Sequence, residues 1–401
     1  MSKTMGKSNN FHLFAISCWV MLSVGITFGS HGPLLAPISD TFQLRLGQIA
    51  LPVVSHSIGF LAANILMALF WRIRRARLLL TLSSLFTFLM LVSISLFRSV
   101  GLLLTFLFFL GVAQGTMHTG VDSLFSEISG KERAKFLNWL HIFIGVGAVL
   151  GPLSVGMLLS CSEKWHLVYL MMAMVTLPLP LFFFRRTLYQ SITYNREPQI
   201  STSSSPARPT TSPLFWLAII GIFIYVGLEL SFASWLPVFL VKVKNVSHAS
   251  ASYSISIFWF ALMTGRFLFG RFLYRTNLSL FLGIGALVTA LFTALTFSID
   301  SVLIGLFMAF SGLSLSWFYP SILALGGNTF PRNIGFITGS LAAGGTIGAI
   351  VFPWVIGPIS ETFGLAKGVF LVPLLCLVLT GIFFSYNYLL TRKRKQQKAI
   401  V

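Results

Sequence analysis

Charged side chains are scarce in this chain. Of its 401 residues only 9% are Asp, Glu, Lys or Arg, whereas 56% are hydrophobic. A water-soluble fold carries about a quarter charged residues, so this composition excludes a soluble domain and indicates an integral membrane protein. Acidic residues are the rarest, because there are 9 Asp and Glu against 28 Lys and Arg, a formal net charge of +19.

Cysteine is rare as well. Cys18, Cys161 and Cys376 lie far apart, in or beside apolar stretches, and no two are spaced as Cys-x-x-Cys. The sequence therefore predicts neither a disulfide framework nor a zinc site. The excess of basic residues does not indicate nucleic-acid binding, because they lie between apolar runs instead of forming one continuous patch. That placement is typical of the cytoplasmic loops of membrane proteins.

Long apolar runs are what the chain has in abundance. About 20 apolar residues span a bilayer as a helix, and twelve such runs occur. With both termini and the segment 185–213 placed in the cytoplasm, 22 Lys and Arg lie inside and 6 outside. This asymmetry favours twelve spans in that orientation. The runs lie near residues 11–36, 47–71, 78–97, 101–125, 136–159, 166–184, 214–241, 249–273, 278–298, 302–326, 334–358 and 364–390.

The two halves of the sequence repeat each other. The stretch Gly147-Ala148-Val149-Leu150-Gly151-Pro152 returns 201 residues later as Gly348-Ala349-Ile350-Val351-Phe352-Pro353, and Gly111 corresponds to Gly312 at the same offset. Such a repeat in apolar sequence is typical of transporters that rock one half against the other around a shared site. We therefore predict an all-α membrane protein with twelve transmembrane helices in two pseudo-symmetric six-helix bundles. The predicted bundles are 1–184 and 214–391, with a disordered cytoplasmic linker at 185–213 and a basic cytoplasmic tail at 392–401.

This organisation resembles the major facilitator superfamily. The stretch from Gly147 to Gly156 is similar to the glycine–proline motif on helix five of that superfamily, although the second copy has Phe352 where a glycine would precede the proline. The basic loop at 71–77 lacks the Asp of the usual loop motif, so the gating role of that Asp is not carried over. The resemblance implies a twelve-helix transporter that alternates between outward-open and inward-open states.

Three shorter stretches resemble the fucose-permease-like sugar–proton symporters within that superfamily. They are Leu137-Asn138-Trp139-Leu140-His141 running into Gly145, Gly227-Leu228-Glu229 with Trp235, and Phe258-Trp259 with Gly265-Arg266. The chain departs from those symporters on helix one, which has no carboxylate before Asp40. The resemblance implies a sugar as solute and a proton as coupling ion.

Placing a charged side chain at the centre of a membrane helix costs roughly 2.5–3.5 kcal/mol of insertion free energy, so ionisable residues inside apolar runs indicate functional sites. Two acids qualify, Glu229 near the middle of helix seven and Asp122 toward the cytoplasmic end of helix four. Gln114, His118 and Asp122 recur every four residues and share one helix face. Asn138 and His141, three apart, share a face of helix five. The predicted proton-coupling residues are Glu229, Asp122, His118 and His141.

Each of these residues also has a structural interpretation. Gln114, His118 and Asp122 could also form a polar contact between helices that only stabilises the fold, with Asp122 paired to a loop arginine such as Arg133. Glu229 could equally accept hydrogen bonds from sugar hydroxyls or form an ion pair with Arg266. His118, Asp122 and His141 together fit a divalent-metal site, although no Cys or second carboxylate joins them. His31 and His56 also lie within apolar runs, and the sequence assigns them no role.

Solute binding calls for aromatic surfaces and a few polar groups that fix orientation. The predicted solute-binding residues are Gln114, Asn138, Tyr225, Trp259 and Trp317. Small residues and prolines inside helices favour close crossing or bending. The residues predicted to serve gating or helix packing are Arg266, Gly147, Gly151, Pro152, Gly348 and Pro353.

The sequence thus predicts a proton-coupled importer of a small polar solute such as a monosaccharide. It is expected to lie in a plasma or inner membrane as a monomer, with both termini cytoplasmic, without cofactor, metal, nucleic-acid partner or enzymatic activity. Proton-driven export of amphipathic compounds or drugs is the first alternative. A membrane receptor or scaffold that transports nothing is the second.

Overall fold

The computed structural model describes residues 2–71, 76–128, 133–185, 209–269, 277–299 and 303–400. These residues form twelve long helices, two of them in two pieces. Most of the predicted linker, 186–208, lies outside the described residues. The helices are α1 Ser2–Phe42, α2 Leu51–Phe70, α3 Ala76–Leu96, α4 Val100–Ile128, α5 Arg133–Cys161, α6 His166–Thr176 and Pro178–Phe184, α7 Pro213–Lys242, α8 His248–Phe269, α9 Leu278–Ser298, α10 Ile304–Leu315 and Phe318–Thr329, α11 Ile334–Phe363 and α12 Leu371–Ile400, the last preceded by one short turn at Leu365–Gly368.

Each predicted apolar run coincides with one of these helices, so the predicted all-α fold is confirmed. Eleven spans in the described part of the chain are long and apolar enough to cross a membrane. The remaining helix, α8, has a less apolar sequence because its first turns are rich in serine and it ends near Arg266. Helix α12 continues through the predicted basic tail to Ile400, since Lys, Arg and Gln favour helix.

Proline acts differently along the chain. Helices α1, α5 and α11 continue past Pro33, Pro152 and Pro353. Helix α10, predicted as one run, is instead interrupted after Leu315 and resumes at Phe318. Pro320 has no N–H to donate to the carbonyl four residues earlier, and that carbonyl belongs to Ser316. The interruption therefore lies where the helix has lost a backbone bond.

The chain folds into two compact units. Unit 1 comprises Met1–Leu44, Leu51–Gln199 and Val246–Ser256, and unit 2 comprises Arg45–Ala50, Ile200–Asn245 and Ile257–Val401. The junction between Gln199 and Ile200 lies in 186–208, outside the described residues. The domain boundaries drawn from the sequence stay predictions.

The internal repeat is visible in how helices cross within each unit. A Cβ atom at Gly147 of α5 would collide with the carbonyl oxygen of Leu22 in α1, and one at Gly348 of α11 would collide with that of Phe223 in α7. Leu22 and Phe223 are 201 residues apart, as are the two glycines. The matching pairs of helices therefore cross at matching points with backbone against backbone. This is the close approach that small residues permit in membranes.

The apolar core of unit 1 has two parts. One cluster contains Leu34, Leu107 and Trp165, and the other contains Met21, Met117 and Phe183. Along α1 and α4, the polar residues Thr27 and Gln114 lie between the stretches that feed the two clusters. Unit 1 thus has a buried polar layer between two apolar ones.

Candidate functional site

Asp122 is the centre of a polar cluster at one end of α4. Its Oδ2 lies 3.8 Å from Nδ1 of His118, one turn away on the same helix, and 3.6 Å from Nε2 of His141 on α5. The rings of the two histidines meet edge to face, with centroids 5.8 Å apart. The structure thus brings together three of the four residues predicted to couple protons.

The Asp122 cluster is only partly covered by protein. The side chain of Asp122 is 25% exposed and that of His141 is 52% exposed. Asp122 Oδ1, in contrast, is buried without a hydrogen-bond partner. In the described part of the chain no three His, Cys, Asp or Glu side chains are arranged to hold a metal ion. The arrangement is a carboxylate flanked by two imidazoles.

A second polar group of unit 1 is fully buried between α1, α2 and α4. Gln114 donates from Nε2 to Thr27 Oγ1 at 2.9 Å, and its Oε1 lies 3.0 Å from Nε2 of His56. His31 lies beside His56, with ring centroids 4.4 Å apart. Gln114, predicted to contact solute, is therefore engaged on both sides by protein groups.

In unit 2 the ionisable groups form an ion pair. Arg266 Nη2 of α8 lies 3.5 Å from Oε1 of Glu229 on α7. Glu229 is 8% exposed at its side chain, whereas Arg266 is 44% exposed. Pairing is what makes a carboxylate tolerable at this depth. The ion pair was one of the interpretations that the sequence left open for Glu229.

The interruption of α10 is filled by side chains from α7 and α8. Tyr225 donates its hydroxyl to the carbonyl oxygen of Leu315 at 3.3 Å, and Arg266 Nε donates to that of Ser316 at 3.4 Å. Non-helical backbone at membrane depth needs such partners. Arg266 therefore holds both Glu229 and the broken end of α10.

The remaining residues predicted to bind solute lie in different surroundings. Trp259 is half-buried, and its indole N–H is buried without a partner. Trp317 packs on Phe269 and Phe281 and faces Gly285 of α9. Asn138 is exposed near the start of α5. Tyr225 is buried and stacks on Phe318. Of these, only Trp259 combines partial exposure with an unused donor, and solute binding by all of them stays a prediction.

His31 and His56 received no role from the sequence. Their positions in apolar runs were visible, but the contact of His56 with Gln114 joins α2 to α4 across 58 residues. No spacing rule within one helix connects such residues. The available signal was that two ionisable side chains lie at membrane depth.

The family profile described as Major Facilitator Superfamily matches residues 17–353. The chain belongs to the major facilitator superfamily. It is therefore a secondary transporter of the membrane, and not an enzyme. The family resemblance of the glycine–proline stretch on α5 is confirmed at this level.

Relatives of the chain cover almost its whole length. The Protein TsgA homolog of Buchnera aphidicola subsp. Baizongia pistaciae is 25% identical over 393 residues, covering 94% of this chain and 95% of that protein. The glucose/mannose transporter GlcP of Bacillus subtilis is 23% identical over 382 residues, covering 90% and 91%. The chain is thus a distant relative of proteins that include a named sugar transporter.

Solved structures share the fold. A bacterial homolog to the human lysosomal transporter Spinster, in an inward-facing and unoccupied conformation, matches with a TM-score of 0.78 at 15% identity, covering 96% of this chain and 98% of that one. The nucleoside transporter NupG matches with a TM-score of 0.71 at 14% identity, covering 94% and 98%. At these identities the likeness shows the fold alone.

Proposed function

We propose that this transporter imports a small neutral polar solute, a monosaccharide, together with protons. The observation that carries the proposal is the cluster of Asp122, His118 and His141, a partly exposed carboxylate within 4 Å of two imidazoles inside a membrane helix bundle. A structural seam needs no exposed imidazole, whereas a proton carrier needs a path to water. Orientation with both termini in the cytoplasm of a plasma or inner membrane, and action as a monomer, are parts of the same proposal.

The proton path begins at the exposed member of the cluster. His141 is the most exposed member, and its Nε2 lies 3.6 Å from Asp122 Oδ2, whereas His118 Nδ1 lies 3.8 Å from the same oxygen. Asp122 holds or releases a proton at Oδ2, and the imidazoles exchange it with solvent. His118 lies deeper, against Phe60 at 5.5 Å between ring centroids, so it connects the carboxylate to the interior of unit 1.

Glu229 is the second candidate for coupling. Its carboxylate has a cation beside it in Arg266, and Arg266 also holds the Ser316 carbonyl of α10. Protonation of Glu229 would therefore release Arg266 and disturb the broken helix. This makes Glu229 a candidate for linking proton binding to helix movement, whereas Asp122 is the candidate for carrying the proton.

The choice of a sugar rests on the chemistry of the unit interiors and on one relative. Unpaired donors and acceptors in the described part of unit 1 and unit 2, such as Trp259 Nε1, suit a neutral hydroxylated solute that donates and accepts. GlcP, a glucose/mannose transporter by name, is a relative over most of the chain. Both considerations favour a monosaccharide over a lipophilic cation.

The test is uptake of labelled glucose and mannose into proteoliposomes under an acid-outside gradient. We expect accumulation that a protonophore abolishes, that Asp122→Asn loses, and that Glu163→Gln, an exposed carboxylate outside the cluster, retains. Glu229→Gln is measured alongside. Efflux of lipophilic cations in exchange for protons, with no sugar accumulation, would replace the proposal by proton-driven export.

A further inference from the structure

His31 and His56 form a pair of adjacent imidazoles inside unit 1. Both side chains are buried, and the ring centroids are 4.4 Å apart at an interplanar angle of 57°. Phe28 packs against both rings, at 6.0 Å from His31 and 5.9 Å from His56. Despite this enclosure, His31 Nε2 and His56 Nδ1 have no hydrogen-bond partner.

The hydrogen bonds around Gln114 fix which nitrogen of His56 carries its hydrogen. The only hydroxyl hydrogen of Thr27 is directed to the Ser23 carbonyl at 3.2 Å or to Met172 Sδ at 3.9 Å, so Thr27 accepts from Gln114 Nε2. The Oε1 of Gln114 then faces Nε2 of His56, and an amide oxygen only accepts. Neutral His56 is therefore protonated at Nε2, and its Nδ1 presents a lone pair.

An unused lone pair at this depth is costly. A buried polar atom without a partner costs about 1–3 kcal/mol, and native structures contain few of them. Here two occur on adjacent rings. A group that donates to His56 Nδ1 and also bonds His31 Nε2 would satisfy both.

We propose that His31 and His56 together bind one hydroxyl group of the transported solute and determine its specificity. This inference rests on the proposed import of a neutral hydroxylated solute and names the residues of unit 1 that select it. A hydroxyl donates one hydrogen and accepts another, so it can donate to Nδ1 of His56 and bond Nε2 of His31. A carboxylate only accepts and leaves Nδ1 of His56 unpaired.

The surroundings favour a neutral ligand over an ion. The rings that enclose the pair are those of Phe28 and Phe60, and the polar contacts beyond them are the uncharged side chains of Gln114 and Thr27. A charge placed there would find no counter-charge among these neighbours. A hydroxyl needs none.

The experiment measures binding of glucose and of its monodeoxy analogues to the purified full-length protein by titration calorimetry. In the wild type, removal of the recognised hydroxyl is expected to weaken binding roughly tenfold to a hundredfold, the loss for an unpaired buried group. His56→Gln keeps an Nε2 donor for Gln114 and removes the Nδ1 acceptor. It should bind glucose more weakly and no longer distinguish it from that one analogue.

His31→Asn provides a second variant should His56→Gln fail to fold. It removes Nε2 and is expected to lose the same discrimination. His12→Gln, at an exposed histidine of the same helix α1, is the matched control and should behave as the wild type. Retained discrimination for the same hydroxyl in either folded variant would overturn the inference, as would a wild type that binds every monodeoxy analogue as well as glucose.

The outcomes separate this inference from the proposed function. A wild type that binds no neutral sugar overturns both. Sugar binding that needs His31 and His56, combined with sugar uptake that a proton gradient does not drive, overturns the coupling alone. Sugar binding and proton-driven uptake that are both indifferent to the two histidines overturn the inference alone.

Discussion

The two units hold their ionisable groups differently. In unit 1 the carboxylate of Asp122 lies among histidines, and Asp122 Oδ1, His31 Nε2 and His56 Nδ1 lack partners. In unit 2 Glu229 is paired with Arg266, and the carbonyls freed in α10 accept from Tyr225 and Arg266. Among the described residues, the ionisable side chains with buried, unpaired atoms therefore lie in unit 1, whereas the Arg266–Glu229 pair of unit 2 supports an interrupted helix.

The difference arises at matched positions of the repeat. Gln114 and Leu315 are 201 residues apart. Helix α4 continues through Gln114, whose side chain contacts Thr27 and His56, whereas α10 ends its first piece at Leu315. At matched positions, unit 1 thus places a polar side chain, and unit 2 places backbone carbonyls that side chains bond in place of the helix.

The largest effect is expected from removing the carboxylate of unit 1. Asp122→Asn keeps the size of the side chain but cannot carry a proton, so gradient-driven uptake should fall on the order of a hundredfold. Exchange of labelled for unlabelled solute, which needs no net proton movement, should persist. Uptake assays with and without a gradient in proteoliposomes measure both, and equal loss of both would contradict a coupling role.

Removing the cation of unit 2 should act on stability. Arg266→Gln leaves the Glu229 carboxylate buried alone and frees the Ser316 carbonyl. We expect a loss of roughly 2–3 kcal/mol of unfolding free energy, below the roughly 3–5 kcal/mol for fully buried pairs because Arg266 is 44% exposed. Denaturant titration in mixed micelles measures it.

A double variant sharpens that result. Glu229→Gln combined with Arg266→Gln removes both charges, so no buried ion is left alone. Its stability should lie above that of Arg266→Gln. Additive losses from the two substitutions would show that the ion pair contributes nothing as a pair.

The matched glycines test whether the units are built alike. Gly147→Ala in unit 1 and Gly348→Ala in unit 2 each place a methyl group against a backbone carbonyl. Each should lower stability by about 1–3 kcal/mol. Gly381→Ala on α12, where a Cβ atom has nothing within 4 Å, should leave stability unchanged or slightly higher. Unequal losses at Gly147 and Gly348 would contradict matched helix crossings.

The smallest effect is expected at the interruption of α10. Tyr225→Phe removes the donor to the Leu315 carbonyl and keeps the stacking on Phe318. The loss should be about 1 kcal/mol of unfolding free energy, measured by the same denaturant titration. Tyr388→Phe, at an exposed tyrosine of α12, is the control. A null result at Tyr225 would mean that the carbonyl finds another partner.

The sequence could predict what depends on period and composition. Apolar length predicted the helices, the small residues Gly147 and Gly348 indicated gating or helix packing, and the four-residue spacing placed His118 beside Asp122. Contacts between helices are harder to predict. The sequence offers Arg266 as an ion-pair partner of Glu229, but it does not indicate the hydrogen bond between His56 and Gln114. Spacing along a chain does not define the rotation of one helix against another.

The same limit applies to proline and tryptophan. Prolines inside helices indicate bending or close packing, yet only the structure shows an actual break before Pro320, stabilised by Tyr225 and Arg266. Trp317 was predicted as a solute platform from its central position in a run. In the structure its ring packs on Phe269 and Phe281.

Sugar-induced proton entry into proteoliposomes tests most directly whether unit 1 carries the proton. A pH dye trapped inside the vesicles records the lumen while glucose is added outside. We expect acidification with the wild type and with the control Glu163→Gln, and none with Asp122→Asn. Acidification by Asp122→Asn at the wild-type rate would contradict the assignment of the proton to the Asp122 cluster.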